Sequence, residues 1–123
     1  KCYSPHGHRY ELKVELEGER DGNGLVMDFS EVKKRVKECI IDVYDHAFLV
    51  YRKDTTLHTF FLLNNDFKIV EIDFESTVEN LINHFAQILT NGGLNISRLE
   101  LKETSDSTAI WVKETQHIGA KRI

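Results

Sequence analysis

The sequence predicts one α+β domain over residues 1–123, with an antiparallel sheet and two helices on one of its faces. Three observations favour this class. An early segment alternates between apolar and charged residues, two segments carry apolar residues at helical spacing, and the chain closes on two strands joined by a polar turn. A chain of 123 residues is long enough to bury one hydrophobic core and short for two domains.

The first three predicted elements run to about residue 44. Residues 8–16 alternate between apolar or aromatic and charged side chains, which is typical of a strand with one buried face. The glycine-containing residues 20–24 predict a tight turn into a second strand at residues 25–27, and therefore a hairpin. Ser30 can cap the next helix, which we expect to end at about Tyr44. The apolar stripe of this helix consists of Val32, Val36, Cys39, Ile40 and Val43.

The second half of the chain is predicted to add a helix and a closing hairpin. Residues 47–72 carry apolar runs without a sustained period, and we expect a short helix followed by a short strand there. Residues 76–79 form a capping-box pattern before an amphipathic helix that the glycines of residues 92–93 end. Residues 96–103 and 108–113 flank a polar turn. The open sheet edges of such a domain favour oligomerisation.

Charge and cysteine content exclude several classes of protein. Lys and Arg number 16 and Asp and Glu number 20, and the net charge of −4 argues against a nucleic-acid partner. No apolar run approaches the roughly 20 residues that span a bilayer, so no membrane partner is expected. Two cysteines are too few for a disulfide framework, which favours the cytoplasm, and Cys39 is assigned to the core.

His6 and His8 form the sharpest local motif. Because side chains two residues apart in an extended segment point to the same side, both imidazoles can reach one Zn²⁺ ion. The alternative is a surface strand with incidental histidines. Cys2 lies four residues before His6, where it can ligate the same ion, stand beside it as a thiolate base, or be an ordinary terminal cysteine.

Two further positions carry candidate acid–base or binding groups. Asp45 and His46 follow the first helix and form a candidate proton-relay dyad, with a solvated helix end as the alternative. Glu103 lies, by strand alternation, on the side of Leu99 and Leu101, where its carboxylate needs a partner. Paired N–H donors, as on a guanidine-like ring edge, would satisfy both oxygens, unless the strand end has already reached solvent.

Five short motifs occur along the chain in a fixed order and spacing: residues 2–10, 24–29, 45–46, 76–80 and 103–104. Together they resemble the family of 6-pyruvoyl tetrahydropterin and 6-carboxy-tetrahydropterin synthases, over essentially the whole chain. The resemblance implies the tunnelling fold, or T-fold, in which α+β subunits join their antiparallel sheets into a barrel. It also implies a homo-oligomer, expected to be a hexamer, with the active site at a subunit interface.

The resemblance implies roles for the residues named above. His6 and His8 would bind the catalytic Zn²⁺ ion, and Cys2 would be the thiolate that removes a proton. Asp45 and His46 would form the partner acid–base dyad, acting on a site whose zinc belongs to a neighbouring chain.

The substrate contacts are implied in the same way. Glu103 would anchor the pterin through its ring nitrogen and amino group, and Thr77 would bind substrate. The third zinc ligand of the family is a histidine on a strand before the cysteine, so we expect it upstream of Lys1. Residues 47–75 are longer than in compact members of the family.

The spacing Cys-x-x-x-His-Gly-His is similar to that in the synthases of queuosine and other deazapurine pathways. It implies conversion of 7,8-dihydroneopterin triphosphate into 6-carboxy-5,6,7,8-tetrahydropterin, with release of acetaldehyde and triphosphate. One alternative is the biopterin-type reaction, which eliminates triphosphate to give 6-pyruvoyl tetrahydropterin. Another is a zinc- or pterin-binding module without turnover.

Overall fold

A computed structural model of the protein describes residues 8–18, 28–104 and 107–114. The described part contains a three-stranded antiparallel sheet, a separate pair of parallel strands, and three helices, of which the first is composite. The strands are β1 (Tyr10–Leu16), β2 (Phe48–Tyr51), β3 (Ile69–Ile72), β4 (Ile96–Glu103) and β5 (Ser107–Val112). The helices are α1 (Phe29–Val36), continued by a π-helical turn (Lys37–Ile41) and α2 (Asp42–Tyr44), then α3 (Thr55–Leu63) and α4 (Val78–Asn91). In the described ranges no helix has the length and apolar character needed to cross a membrane.

The antiparallel sheet has the strand order β1-β4-β5 and confirms the predicted α+β class and closing hairpin. Its inner face is apolar: Leu12 lies opposite Leu101, which in turn lies opposite Ala109. Leu99 and Leu101 are 0% and 1% exposed, because α4 packs over β4 and β5 with Leu81, Phe85 and Leu89. The partner predicted for β1 at residues 25–27 lies outside the described residues.

The first helix begins and ends close to the predicted positions, with two differences. Its N-cap is Asp28 and not Ser30, because Asp28 Oδ1 accepts the Ser30 N–H at 3.1 Å. The π-helical turn adds a residue to one turn of the helix, so the inward position after Ile40 falls on Tyr44. Val43, predicted on the apolar stripe, is therefore 39% exposed.

The segment between this helix and α4 contains more structure than predicted. The expected helix and strand are present as α3 and β3, but β2 precedes them and was missed. β2 and β3 are parallel, with Leu49 opposite Val70, which is the pairing that a connecting helix allows. Phe48 and Phe67 pack against Phe61 of α3, and the centroids of the three rings are 4.9–5.7 Å apart. The described residues thus hold three helices: two at the positions predicted for the face of the sheet, and α3 where the short helix was expected.

The helix α4 confirms the amphipathic pattern of the sequence. Six of its residues are buried, and it ends at Asn91 before Gly92 and Gly93, as expected. Its N-cap is Thr77, whose Oγ1 accepts the Asn80 N–H at 3.2 Å, so the cap lies one residue after the start of the predicted capping box.

Candidate functional site

The inner face of the sheet changes character at one end. Leu12 and Leu101 face each other inside the core, and the next pair towards the end of the sheet is Tyr10 and Glu103. His8 precedes Tyr10 by two residues. At this end of the sheet the apolar side chains are therefore followed by the imidazole of His8, the phenol of Tyr10 and the carboxylate of Glu103.

His8 and Glu103 form the central contact of this site. His8 Nδ1 lies 2.9 Å from Glu103 Oε2, and the side chains are 41% and 22% exposed. Because a carboxylate only accepts hydrogen bonds, Nδ1 is the protonated nitrogen of this contact. Thr104 fastens the two strand ends, since its N–H and its hydroxyl donate to the Arg9 carbonyl at 2.9 and 3.2 Å.

Tyr10 belongs to the same site and was not singled out from the sequence. Its ring centroid lies 6.3 Å from that of His8. Burial raises the pKa of Tyr10 above its usual range, and the Glu103 carboxylate raises it further, so the phenol stays a neutral hydrogen-bond donor. Strand alternation in the sequence could have indicated it, because residues two apart in an extended segment point to the same side and Tyr10 follows His8 by two.

Asp45 and His46 form a second candidate pair, in the turn after α2. His46 Nδ1 lies 3.1 Å from Asp45 Oδ2, and the two side chains are 89% and 61% exposed. The sequence left open whether these neighbours touch. The contact directs Nδ1–H at the carboxylate and makes Nε2 the basic nitrogen of the neutral ring. His46 has a φ of 60°, in the left-handed region that residues other than glycine seldom adopt.

The other predicted site residues are Cys2, His6 and Thr77. Cys2 and His6 lie outside the described residues. Thr77 is exposed, and its hydroxyl oxygen caps α4, a structural contact that leaves its predicted role with substrate an expectation. The structure thus brings four of the five described candidates together in two pairs, one at the end of the sheet and one after α2.

The donor chemistry at His8 fits a metal ligand. A carboxylate bonded to one ring nitrogen is the usual device for directing the other nitrogen of a histidine at a metal ion. Across the described ranges 8–18, 28–104 and 107–114, no group of three or more His, Cys, Asp or Glu side chains could hold a metal ion. His8 is the predicted zinc ligand that falls within them.

Comparison with known proteins agrees with the resemblance. Residues 1–114 match the profile of the family described as PTPS, 6-pyruvoyl tetrahydropterin synthase. A protein of Haemophilus influenzae named 6-carboxy-5,6,7,8-tetrahydropterin synthase is 33% identical over 115 residues, which cover 87% of this chain and 81% of that protein. One of the same name from Rickettsia felis is 28% identical over 110 residues, covering 85% of this chain and 80% of the relative.

A solved structure supports the fold. The crystal structure of an uncharacterized protein from Wolinella succinogenes superposes with a TM-score of 0.65 at 23% identity, covering 89% of this chain and 79% of the other.

Proposed function

Because the chain belongs to the 6-pyruvoyl tetrahydropterin synthase family, we propose that it is a zinc-dependent lyase that acts as a 6-carboxy-5,6,7,8-tetrahydropterin synthase. It would convert 7,8-dihydroneopterin triphosphate and one water molecule into 6-carboxy-5,6,7,8-tetrahydropterin, acetaldehyde and triphosphate. The names of the relatives and the spacing Cys-x-x-x-His-Gly-His support this reaction over the biopterin-type one. We place the reaction in the cytoplasm and the product in queuosine biosynthesis.

One observation carries the proposal: the Glu103 carboxylate, 22% exposed, lies beside His8 where the apolar inner face ends. A pterin presents a ring N–H and an amino group side by side, a donor pair that matches the two oxygens of a carboxylate. Glu103 Oε2 accepts from His8 and keeps capacity for a second donor, because each carboxylate oxygen has two acceptor sites. The site thus combines pterin anchoring with support for a metal-binding histidine.

Zinc would be held by His6, His8 and a histidine upstream of Lys1. When bound there, a Zn²⁺ ion supplies Lewis-acid polarisation of the substrate's side-chain hydroxyl oxygens. The Glu103 carboxylate fixes the tautomer of His8, which leaves Nε2 as the nitrogen for the metal. The neutral phenol of Tyr10 borders the same space as a hydrogen-bond donor.

The proton transfers are assigned to Cys2 and the Asp45–His46 pair. The Cys2 thiolate would remove a proton from the substrate side chain. His46 Nε2 would accept or return a proton, while Asp45 Oδ2, 3.1 Å from Nδ1, would stabilise the imidazolium that forms. In this scheme Thr77 contributes a substrate contact.

The exposure of the Asp45–His46 pair supports a site shared between subunits. Side chains that are 61% and 89% exposed work in water, where electrostatic stabilisation of a developing charge is weak. A second copy of the chain covering the pair would exclude that water. We therefore include a homo-oligomer, a hexamer joined through its sheets into a barrel, in the proposal.

The test is product identification on the full-length, zinc-loaded protein with 7,8-dihydroneopterin triphosphate. Mass spectrometry should find 6-carboxytetrahydropterin and acetaldehyde. A 6-pyruvoyl product would replace the proposed reaction with triphosphate elimination. Zinc bound without any product would instead indicate a binding module.

A matched pair of variants tests the dyad. His46→Asn keeps a residue that tolerates the left-handed region but lacks an imidazole, so kcat should fall by about 10²–10⁴-fold. His58→Asn is the control, because His58 also pairs with a surface carboxylate, that of Glu71, within the segment of α3 and β3. Equal activity of both variants would remove His46 from the mechanism.

A further inference from the structure

Lys68 fastens the turn that carries Asp45 and His46. Its Nζ donates to the carbonyl oxygen of Asp45 at 2.8 Å and to that of Asp42 at 2.9 Å. Carbonyls at the C-terminal end of a helix lack partners within the helix, and a cation there also complements the negative end of the helix dipole. One ammonium group thus bonds both the last turn of the helix and the residue before His46.

Lys68 holds the same turn from the other side through its backbone. The Phe48 N–H donates to the Lys68 carbonyl at 2.9 Å, immediately before β3 begins. His46 therefore lies between two attachments to a single residue, one at the preceding carbonyl and one at the amide two residues later.

The backbone of His46 needs such anchoring. A residue other than glycine in the left-handed region costs about 1–2 kcal/mol and persists where its surroundings determine the conformation. The carbonyl of Asp45 belongs to the peptide plane from which the φ of His46 is measured, so a bond that fixes this carbonyl restrains that φ of 60°.

We propose that Lys68 is a positioning residue, which holds His46 in the left-handed conformation where its Nδ1 meets Asp45 Oδ2 at 3.1 Å. The inference rests on the proposed function, because it gives the Asp45–His46 pair its catalytic role. Lys68 acts on backbone carbonyls, so its loss displaces the dyad and lowers kcat while the affinity for substrate is kept.

The test compares Lys68→Met with Lys68→Arg in the full chain. The Met variant keeps an unbranched apolar stem but lacks the ammonium group that donates, and a displacement of about 1 Å costs on the order of 10²-fold in rate. We expect kcat to fall by about 10–100-fold with KM unchanged, and the Arg variant to restore most of it. A rise in KM at unchanged kcat would overturn the inference, since it would make Lys68 a substrate contact.

A measurement without turnover separates this inference from the proposed function. A residue with positive φ gives a strong intraresidue nuclear Overhauser effect between its amide and α protons. That signal of His46 should weaken in Lys68→Met and persist in Lys37→Met. Lys37 is a matched control, because its Nζ bonds the side chain of Asp42 at 2.9 Å and leaves the carbonyls to Lys68. An unchanged signal in Lys68→Met would overturn the inference.

The double variant Lys68→Met/His46→Asn tests whether Lys68 acts on the reaction through His46. If Lys68 acts through His46, the double variant should lose no more activity than His46→Asn alone. Further loss in the double variant would contradict a positioning role. Full activity of His46→Asn would refute the catalytic role of the dyad, and the proton signal would still report whether Lys68 sets the turn.

Discussion

Replacing Glu103 by Gln tests whether one carboxylate serves two partners. The amide has nearly the shape of the carboxylate but offers one acceptor oxygen and two N–H donors. Glu103 Oε2 accepts from His8 Nδ1 at 2.9 Å, and the edge of a pterin would present two more donors. In the Gln variant, the amide nitrogen would face a hydrogen-bond donor, either His8 Nδ1–H or the edge of the pterin. Because two donors cannot bond each other, one of these contacts would be lost.

The expected losses follow from these contacts. A hydrogen bond to a charged group contributes about 1.5–3 kcal/mol, and the 22% exposure of Glu103 leaves little solvent to replace it. At 1.36 kcal/mol per factor of ten, losing one pterin bond raises KM by about 10–100-fold. Losing the carboxylate behind a metal-binding histidine lowers metal affinity by about 10–100-fold.

Steady-state kinetics at saturating zinc and competition with a chromophoric chelator measure the two effects separately. Glu100→Gln is the control, because Glu100 lies on the same strand with 23% exposure but pairs with Lys13 and Arg98 on the other face of the sheet. It should leave both quantities unchanged. A Glu103→Gln protein with normal KM and normal zinc affinity would refute the assignment of Glu103 to either partner.

Three further predictions concern stability. Thr77→Ala should lower the free energy of unfolding by about 1 kcal/mol, while Ser76→Ala should leave urea denaturation unchanged, because the cap is at Thr77. Leu99→Ala should cost about 2–5 kcal/mol in the same assay, since Leu99 is 0% exposed, and a loss below 1 kcal/mol would contradict the packing of the sheet on α4. Burial lowers the pKa of His84, which contacts the Tyr44 hydroxyl at 2.8 Å, although the Asp73 carboxylate opposes that shift. The unfolded chain then binds the proton at higher pH, so stability should fall as pH drops below about 6.5 and level off below the folded pKa. His84→Gln should flatten this slope between pH 7.5 and 5, and an unchanged slope would exclude His84 as its source.

The sequence predicted β1 and α4 well, because each is defined by a pattern of neighbouring residues. The alternation over β1 and the helical period over α4 each repeat for several residues, so one face is defined without knowledge of the rest of the chain. The same alternation placed Glu103 on the inner side. It could not identify His8 as the partner, because the register between β1 and β4 is set by contacts far apart in sequence.

Three other features could not be predicted from local patterns in the sequence. The strand β2 has four residues and pairs in parallel with β3, so its stability comes from a partner beyond an intervening helix. The π-helical turn inserts one residue and so directs Tyr44 inward. This turn is stabilised by the packing of Tyr44 on α4, where its hydroxyl contacts His84. Lys68 has no sequence signal at all, since its role depends on its contact with Asp45, which lies 23 residues earlier, directly after a helix.

The contact between His8 and Glu103 has a consequence for the proposed chemistry. A carboxylate that accepts from His8 orients the ring, and its negative charge would strengthen the binding of a metal ion by the other ring nitrogen. A pterin edge bonded to the same carboxylate draws on the same negative charge, which weakens the support for His8. In the proposed site, metal and pterin binding would therefore be linked through Glu103, and the factor by which one changes the other would be the same in both directions. Glu103→Gln removes the linking carboxylate, so in that variant the zinc affinity should no longer depend on whether a pterin that lacks the hydroxylated side chain is bound.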